Sequence, residues 1–390
     1  TRFRLAQCLR GASGSGVFTL LRRRTYAWLT HNHLSVFYLE SSVPYMLLSA
    51  LGCLILSAAL PTLILALLLC SPRAQSELTF LHRINWPPLD FERPSEAQVI
   101  HRLPWLSSQL GLFVGIEDTS AHWLHGNAGR LGLWLTRPTA ACEYSRPLWM
   151  LYLHGNGENR GWAPAVRRVR RLSGPPYCCA VVQLDYRGYG DSDGEPTVEG
   201  LVNDSLIAWK WIREQDHALP VVYGHSLGSH IAIGLASKLQ ECEARAENWT
   251  AEKMEGSGAD PEGCTADAAT DPPQKLILEG AFASVADMAG QILGRALPLS
   301  SERLEEILSF PMPSNRLAQG LHTQTELLQI HGTRDGIVPI GSGRALFKHL
   351  PAATRFVAAE GAGHEGDALE DAGVQWELQN FLRPDSTGVA

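Results

Sequence analysis

The segment Gly224-His225-Ser226-Leu227-Gly228 sets a serine between two glycines, in the pattern G-x-S-x-G. It follows an apolar run over residues 220–223 and opens a helical pattern over residues 229–239. A strand, a sharp turn and a helix in that order present a serine hydroxyl at a strand end, where it can act as a nucleophile. The glycines suit a turn whose backbone passes close to its neighbours. The plain alternative is a solvated serine in a tight turn. A serine also needs a base, and the base needs an orienting acid. In this strand–turn–helix context the two follow the serine in the order acid, then histidine. Asp335 lies in the polar turn after the apolar run 327–330, and His364 follows the run 355–358 through Gly361-Ala362-Gly363. The acids Glu365, Asp367 and Asp371 lie beyond the histidine and at no strand end. The remaining glycine-adjacent histidines, His154, His225 and His331, read as residues that hold loop backbone.

Acyl transfer also needs donors for the developing oxyanion. The backbone N–H of Leu227, next after the serine, is one. The second is that of Asn156 in His154-Gly155-Asn156-Gly157, which closes the buried run 148–153. A phosphate loop is the rival reading of this glycine-rich turn. It fails because there is no GxxxxGK[ST], and the third glycine of residues 155–161 comes one position too late for GxGxxG. No His, Cys or carboxylate set has metal-ligand spacing, so neither a metal nor a cofactor is expected.

These residues need a frame. Apolar runs and helical patterns alternate from about residue 110. Strands are expected over 131–135, 148–153, 180–184, 220–223, 276–278, 327–330 and 355–358. Helices are expected over 162–172, 198–213, 229–239, 342–350 and 374–382. Such alternation implies a mostly parallel sheet with helices on both faces. Two stretches break the rhythm. Residues 241–273 carry nine acids against two bases and read as an acidic surface insertion. Residues 284–322 form an apolar, helix-prone excursion between two strands, suited to packing on the core or to a cap over the site. Leu304 and Leu308 within it are the candidates for contact with a substrate acyl chain.

The chain has 390 residues and a net charge of −7, which lacks the basic footprint of a nucleic-acid binder. Residues 43–70 run for 28 positions without a charge. As a straight helix they would rise about 42 Å, enough to span a bilayer of roughly 30 Å with tilt. A buried helix and a cleaved signal are the alternatives. Arg22-Arg23-Arg24 and three further arginines precede the stretch, and few bases follow it. The positive-inside bias then places residues 1–42 in the cytosol and everything after residue 70 across the membrane. Two sequons follow, at Asn203 and Asn248, and Asn248 in the acidic insertion is the better glycan site. Cys242 and Cys264 share that insertion and are candidates to pair, while Cys178-Cys179 reads as the entry to a buried strand.

From about residue 148 to residue 384 the chain resembles the α/β-hydrolase-domain serine hydrolases. Within them it is most similar to the membrane-anchored lysophosphatidylserine and monoacylglycerol lipases of the alpha/beta-hydrolase domain-containing protein 12 family. The resemblance rests on His154-Gly155-Asn156-Gly157, Asp185-Tyr186-Arg187-Gly188-Tyr189-Gly190-Asp191-Ser192, Gly224 to Gly228, Leu278-Glu279-Gly280-Ala281-Phe282 and the turns of Asp335 and His364. The chain departs from it in the acidic insertion, in the cap and at Gly280-Ala281, where Ser-Pro would be expected. The resemblance implies an α/β-hydrolase fold with a helical cap, preceded by one transmembrane helix. The segments are then an arm over 1–42, the span over 43–70, a linker and first strands over 71–147, the hydrolase core over 148–384 and a tail over 385–390. It implies an endoplasmic reticulum membrane protein with a luminal site, acting on a lipid substrate with Ser226, Asp335 and His364. A thioesterase or peptidase, and a non-catalytic binding protein on the same fold, are the alternatives.

Overall fold

The computed structural model describes residues 71–83, 91, 92, 94, 118–142, 147–215, 220–247, 271–293, 300–365 and 367–383. The expected span over 43–70, the arm before it, Asn248 and Cys264 lie outside the described residues. Among the described residues no helix is long and apolar enough to cross a membrane.

Eight strands form one sheet. They are β1 (Thr119–Gly126), β2 (Gly129–Thr136), β3 (Trp149–Leu153), β4 (Ala180–Leu184), β5 (Val221–His225), β6 (Lys275–Glu279), β7 (Glu326–Gly332) and β8 (Arg355–Ala359). The order across the sheet is β1-β2-β4-β3-β5-β6-β7-β8. β2 pairs antiparallel with β1 and β4, and every other pairing is parallel. The inner strands are short, continuous apolar runs because both of their faces are covered. Leu151 and Leu153 point to one buried cluster, while Met150 and Tyr152 point to another. Two helical layers cover them. On one side lie α3 (Val198–Gln215), α4 (Leu227–Glu247), α7 (Ser314–Ala318) and α8 (Ile340–Phe347); on the other lie α2 (Ala163–Ser173) and α9 (Ala372–Leu382). The expected mostly parallel sheet with helices on both faces is therefore present.

Three elements, β1, α4 and a helix before the sheet, differ from the sequence reading, while the helix-prone excursion is helical. β1 was not expected, because its residues Thr-Ser-Ala-His-Trp-Leu-His-Gly are largely half-exposed and lack an apolar run. It exists through its hairpin with β2, which runs from Thr119 opposite Thr136 to Gly126 opposite Gly129. α4 starts two residues earlier than expected and extends to Glu247, so the first part of the acidic insertion continues a helix. A helix over Pro72–Thr79, α1, precedes the sheet. The excursion between β6 and β7 holds α5 (Val285–Leu293), α6 (Ser301–Ile307) and α7.

One cysteine pairing was not expected. Cys142 and Cys178 form a disulfide across 36 positions, so Cys178 is a cross-link before β4 and not part of a strand. Cys179 stays free and buried, which pushes its thiol up to about 12. Cys242 lies buried on α4 and is itself disulfide-bonded.

Candidate active site

β5 ends at His225 and α4 begins at Leu227, leaving Ser226 alone in the turn between them. Ser226 takes φ of 53°, a left-handed conformation that costs a non-glycine residue energy and is held by its surroundings. The two glycines explain how so sharp a turn packs. A methyl on Gly224 would fall 2.3 Å from the carbonyl oxygen of Gly228, and one on Gly228 would fall 2.0 Å from that of Leu153. The Ser226 N–H donates to the carbonyl of Glu279 at 2.9 Å, fastening the turn to the end of β6.

Asp335 and His364 come from the turns after β7 and β8, as expected, and they meet. His364 Nδ1 lies 2.7 Å from Asp335 Oδ2. Asp335 Oδ1 accepts the backbone N–H groups of Ile337 at 2.9 Å and Val338 at 2.7 Å. Burial works to raise the Asp335 carboxyl, but the hydrogen bond and charge of His364, with those two N–H groups, hold it below the usual value. His331 Nε2 lies 2.9 Å from the Val338 carbonyl, so this histidine braces the acid turn. Gly280, at φ of 59°, sits beside the pair: a methyl there would be 3.3 Å from His364 Nδ1 and 3.6 Å from Asp335 Oδ2.

Leu227 opens α4, so its N–H is one of the first four of the helix and has no intrahelical acceptor. Asn156 lies just past β3, and its side chain is fixed from two sides. Its Oδ1 accepts the Leu81 N–H at 2.7 Å and the Tyr189 hydroxyl at 3.3 Å. Tyr186 donates to the His154 carbonyl at 3.2 Å. The stretch from Asp185 to Ser192 is thus a brace for the Asn156 loop. Its first residue, Asp185, receives both the backbone N–H of Arg160, at 2.7 Å, and its guanidinium, at 2.6 Å. Among the described residues no group of three or more His, Cys, Asp or Glu side chains is arranged to hold a metal ion.

A strand-end serine in a strained turn, a histidine bonded to a buried carboxylate, and a glycine-rich loop facing the serine's helix are the parts of an acyl-transfer site. Residues 150–383 match the alpha/beta hydrolase family. The chain belongs to that family. The lysophosphatidylserine lipase ABHD12 of Bos taurus is 30% identical over 285 residues, which cover 71% of this chain and 63% of that protein. That of Macaca fascicularis is 28% identical over 294 residues, covering 73% and 66%. The chain thus spans about two thirds or less of the length of these relatives. Among solved structures, an alpha-beta hydrolase from Vibrio vulnificus matches with a TM-score of 0.49 and 16% identity, covering 78% of this chain and 94% of that one.

In this alpha/beta hydrolase Asn156, Ser226, Asp335 and His364 lie on the turns and loops that follow β3, β5, β7 and β8, and Leu227 opens α4. No hydrogen bond joins Ser226 to His364 among the described residues. Of the two leucines singled out in the excursion, Leu304 is buried and Leu308 half-buried, while Ile292 and Ile307 of the same excursion are exposed.

Sequence reasoning missed the residues behind the site. α1 and the turn after it pack against both the Asn156 loop and the excursion. Besides the Leu81 bond, Gln75 bonds the Ile307 carbonyl at 3.2 Å and the Ser309 N–H at 2.5 Å, and Phe80 meets Phe310 edge to face at 5.1 Å. Glu158, Arg168 and Glu279 form a buried ionic group beneath His225. One signal was available for Arg168. It lies three positions after Ala165 and four before Leu172, on the buried face of α2, where an arginine needs an internal partner.

Proposed function

We propose that this alpha/beta hydrolase is a membrane-anchored serine hydrolase that cleaves acyl esters of lysophospholipids or monoacylglycerols. The observation that carries the chemistry is the 2.7 Å bond between His364 and Asp335 on the turns that follow two parallel strands. With Nδ1–H donated to Asp335, His364 Nε2 is left as an acceptor. Ser226 Oγ attacks the ester carbonyl while His364 Nε2 takes its proton. The tetrahedral oxyanion is met by the N–H groups of Leu227 and Asn156. His364 returns the proton to the departing alcohol, and an acyl-Ser226 ester remains. Water, deprotonated by His364, then releases the fatty acid and frees Ser226.

The lipid class is supported by the named relatives, which are lysophosphatidylserine lipases. It is also supported by the uncharged stretch 43–70, read as a single span with residues 1–42 cytosolic. The Cys142–Cys178 disulfide favours an oxidising compartment for the hydrolase core, in keeping with a luminal site at the endoplasmic reticulum and a glycan on Asn248. Leu304 and Leu308 of the excursion are proposed to line the acyl path. Leu308 is the better probe of that path, because replacing the buried Leu304 would also disturb packing.

The test is a substrate panel: long-chain lysophospholipids, long-chain monoacylglycerol, an acyl thioester, a peptide and a short soluble butyrate ester. Preference for the long-chain oxygen esters, reduced by Leu308→Asp while butyrate turnover holds, supports the reading. Preference for the thioester or peptide would replace it.

A further inference from the structure

A buried ionic chain lies beneath the site and takes no part in the steps above. Glu158 stands two positions past Asn156, His225 directly precedes Ser226, and Arg168 comes from α2; all three are buried. His225 Nδ1 is 2.7 Å from Glu158 Oε1. Its Nε2 is 2.9 Å from the carbonyl oxygen of His364 and 2.9 Å from Arg168 Nη2. Arg168 donates from Nη2 to the same carbonyl at 3.2 Å and from Nε to Glu279 Oε2 at 2.8 Å. Glu279 also accepts the Tyr223 hydroxyl at 2.6 Å. One imidazole therefore touches the loop of Asn156, the turn of Ser226 and the main chain of His364. Gly155 leaves the space: a methyl there would fall 2.5 Å from Glu158 Oε1 and 3.0 Å from His225 Nδ1.

The charge state follows from the neighbours. Nδ1 faces the Glu158 carboxylate, while Nε2 faces both the His364 carbonyl and the Arg168 guanidinium. An imidazolium donates to both oxygens, a neutral ring protonated at Nδ1 would accept from Arg168, and the balance of buried charge decides between them. Every element packed around the ring contributes a group. Glu158 comes from the loop after β3, Arg168 from α2 and Glu279 from the end of β6. Tyr152 and Tyr223 come from β3 and β5, and the His364 ring lies 4.8 Å away between centroids. Two carboxylates against one guanidinium leave a buried negative charge, which a proton on His225 neutralises.

We propose that His225 works as an imidazolium, a positioning residue that ties the loop of His364 to the loop of Asn156, and that Glu158 keeps it charged. This rests on the hydrolase reading above. Burial and Arg168 pull the His225 pKa down, but the charge and hydrogen bond of Glu158, with Glu279, outweigh them and raise it. Burial likewise works to raise the Glu158 carboxyl, yet His225 and Arg168 bring it to about 2. Because the folded value of His225 is raised, the tie is complete below the ordinary histidine value of about 6.5 and is lost as pH rises through the higher folded value.

The test is the pH profile of butyrate hydrolysis by the full chain in detergent, wild type against Glu158→Gln. Glutamine still accepts the Nδ1–H bond but no longer holds the proton. The alkaline limb is expected to move at least about one pH unit lower. Above neutrality kcat should fall about 10- to 100-fold with KM within about twofold, the scale of a mispositioned catalytic group. An unmoved alkaline limb overturns the proposal. Should that variant fail to fold, the ring nitrogens of His225 in the wild type decide, read by nitrogen NMR and assigned by loss of the signal in His225→Gln. Two protonated nitrogens at neutral pH support the proposal, and one overturns it. Failure of the wild type to react with a fluorophosphonate would instead sink the hydrolase reading, and the ring measurement would still decide the charge of His225.

Discussion

His364 Nδ1 and Asp335 Oδ2 are 29 positions apart in sequence and 2.7 Å apart in the fold, while the second oxygen of Asp335 is pinned by two backbone N–H groups. The carboxylate cannot turn without losing three bonds, so it sets both the orientation and the tautomer of His364. With Nδ1–H held by Asp335, Nε2 is left as the acceptor nitrogen of the ring.

Asp335→Asn tests that relationship. The amide can present N–H to Nδ1, which traps the wrong tautomer. We expect kcat on a short ester to fall about 10⁴-fold, with KM little changed. The folded pKa of Asp335 is lowered, so its contribution to stability is present above the ordinary carboxylate value near 3.9 and lost as pH falls through the folded value. Wild type should therefore lose stability below about pH 4 more steeply than the asparagine variant. Thermal unfolding across that range reads the difference.

Much of this frame was legible in the sequence, for a physical reason. Strands buried on both faces must be continuous apolar runs, and the residues just past them, Ser226, Asp335 and His364, fall where the chain turns polar. β1 was not legible, because half-exposed strand residues carry no such run and only pairing with β2 defines them. The partners of Glu158 and Arg168 were not legible either. Their bonds to His225 and Glu279 join positions 67 and 111 residues apart, a distance that no local pattern encodes. The Cys142–Cys178 link escaped for the same reason.

Gly228→Ala should break the turn of Ser226. The added methyl would meet the backbone oxygen of Leu153 at 2.0 Å, and neither side can yield without moving a strand or a helix. We expect a loss of about 1–3 kcal/mol or more, seen as a fall in Tm of several degrees, together with loss of fluorophosphonate reactivity. A wild-type Tm and reactivity would show that the elbow packs less tightly than described.

Replacing both Cys142 and Cys178 by serine should lower stability by about 2–4 kcal/mol, because the link closes a loop of 36 residues in the unfolded chain. Urea unfolding should show a lower midpoint for the hydrolase unit. Reducing agent should shift the wild type in the same direction and leave the double variant much less changed. An unchanged midpoint would mean that the link adds nothing to the folded core.

The most direct measurement of the central claim is where a fluorophosphonate binds and whether that residue is required. Peptide mass analysis of the labelled full-length protein should place the phosphonyl group on Ser226. Ser226→Ala should take no label and should hydrolyse long-chain lysophospholipid at least about 10⁴-fold more slowly than wild type, while keeping its Tm. Label on another residue, or near-wild-type turnover by the folded alanine variant, would contradict the assignment of Ser226 as the nucleophile.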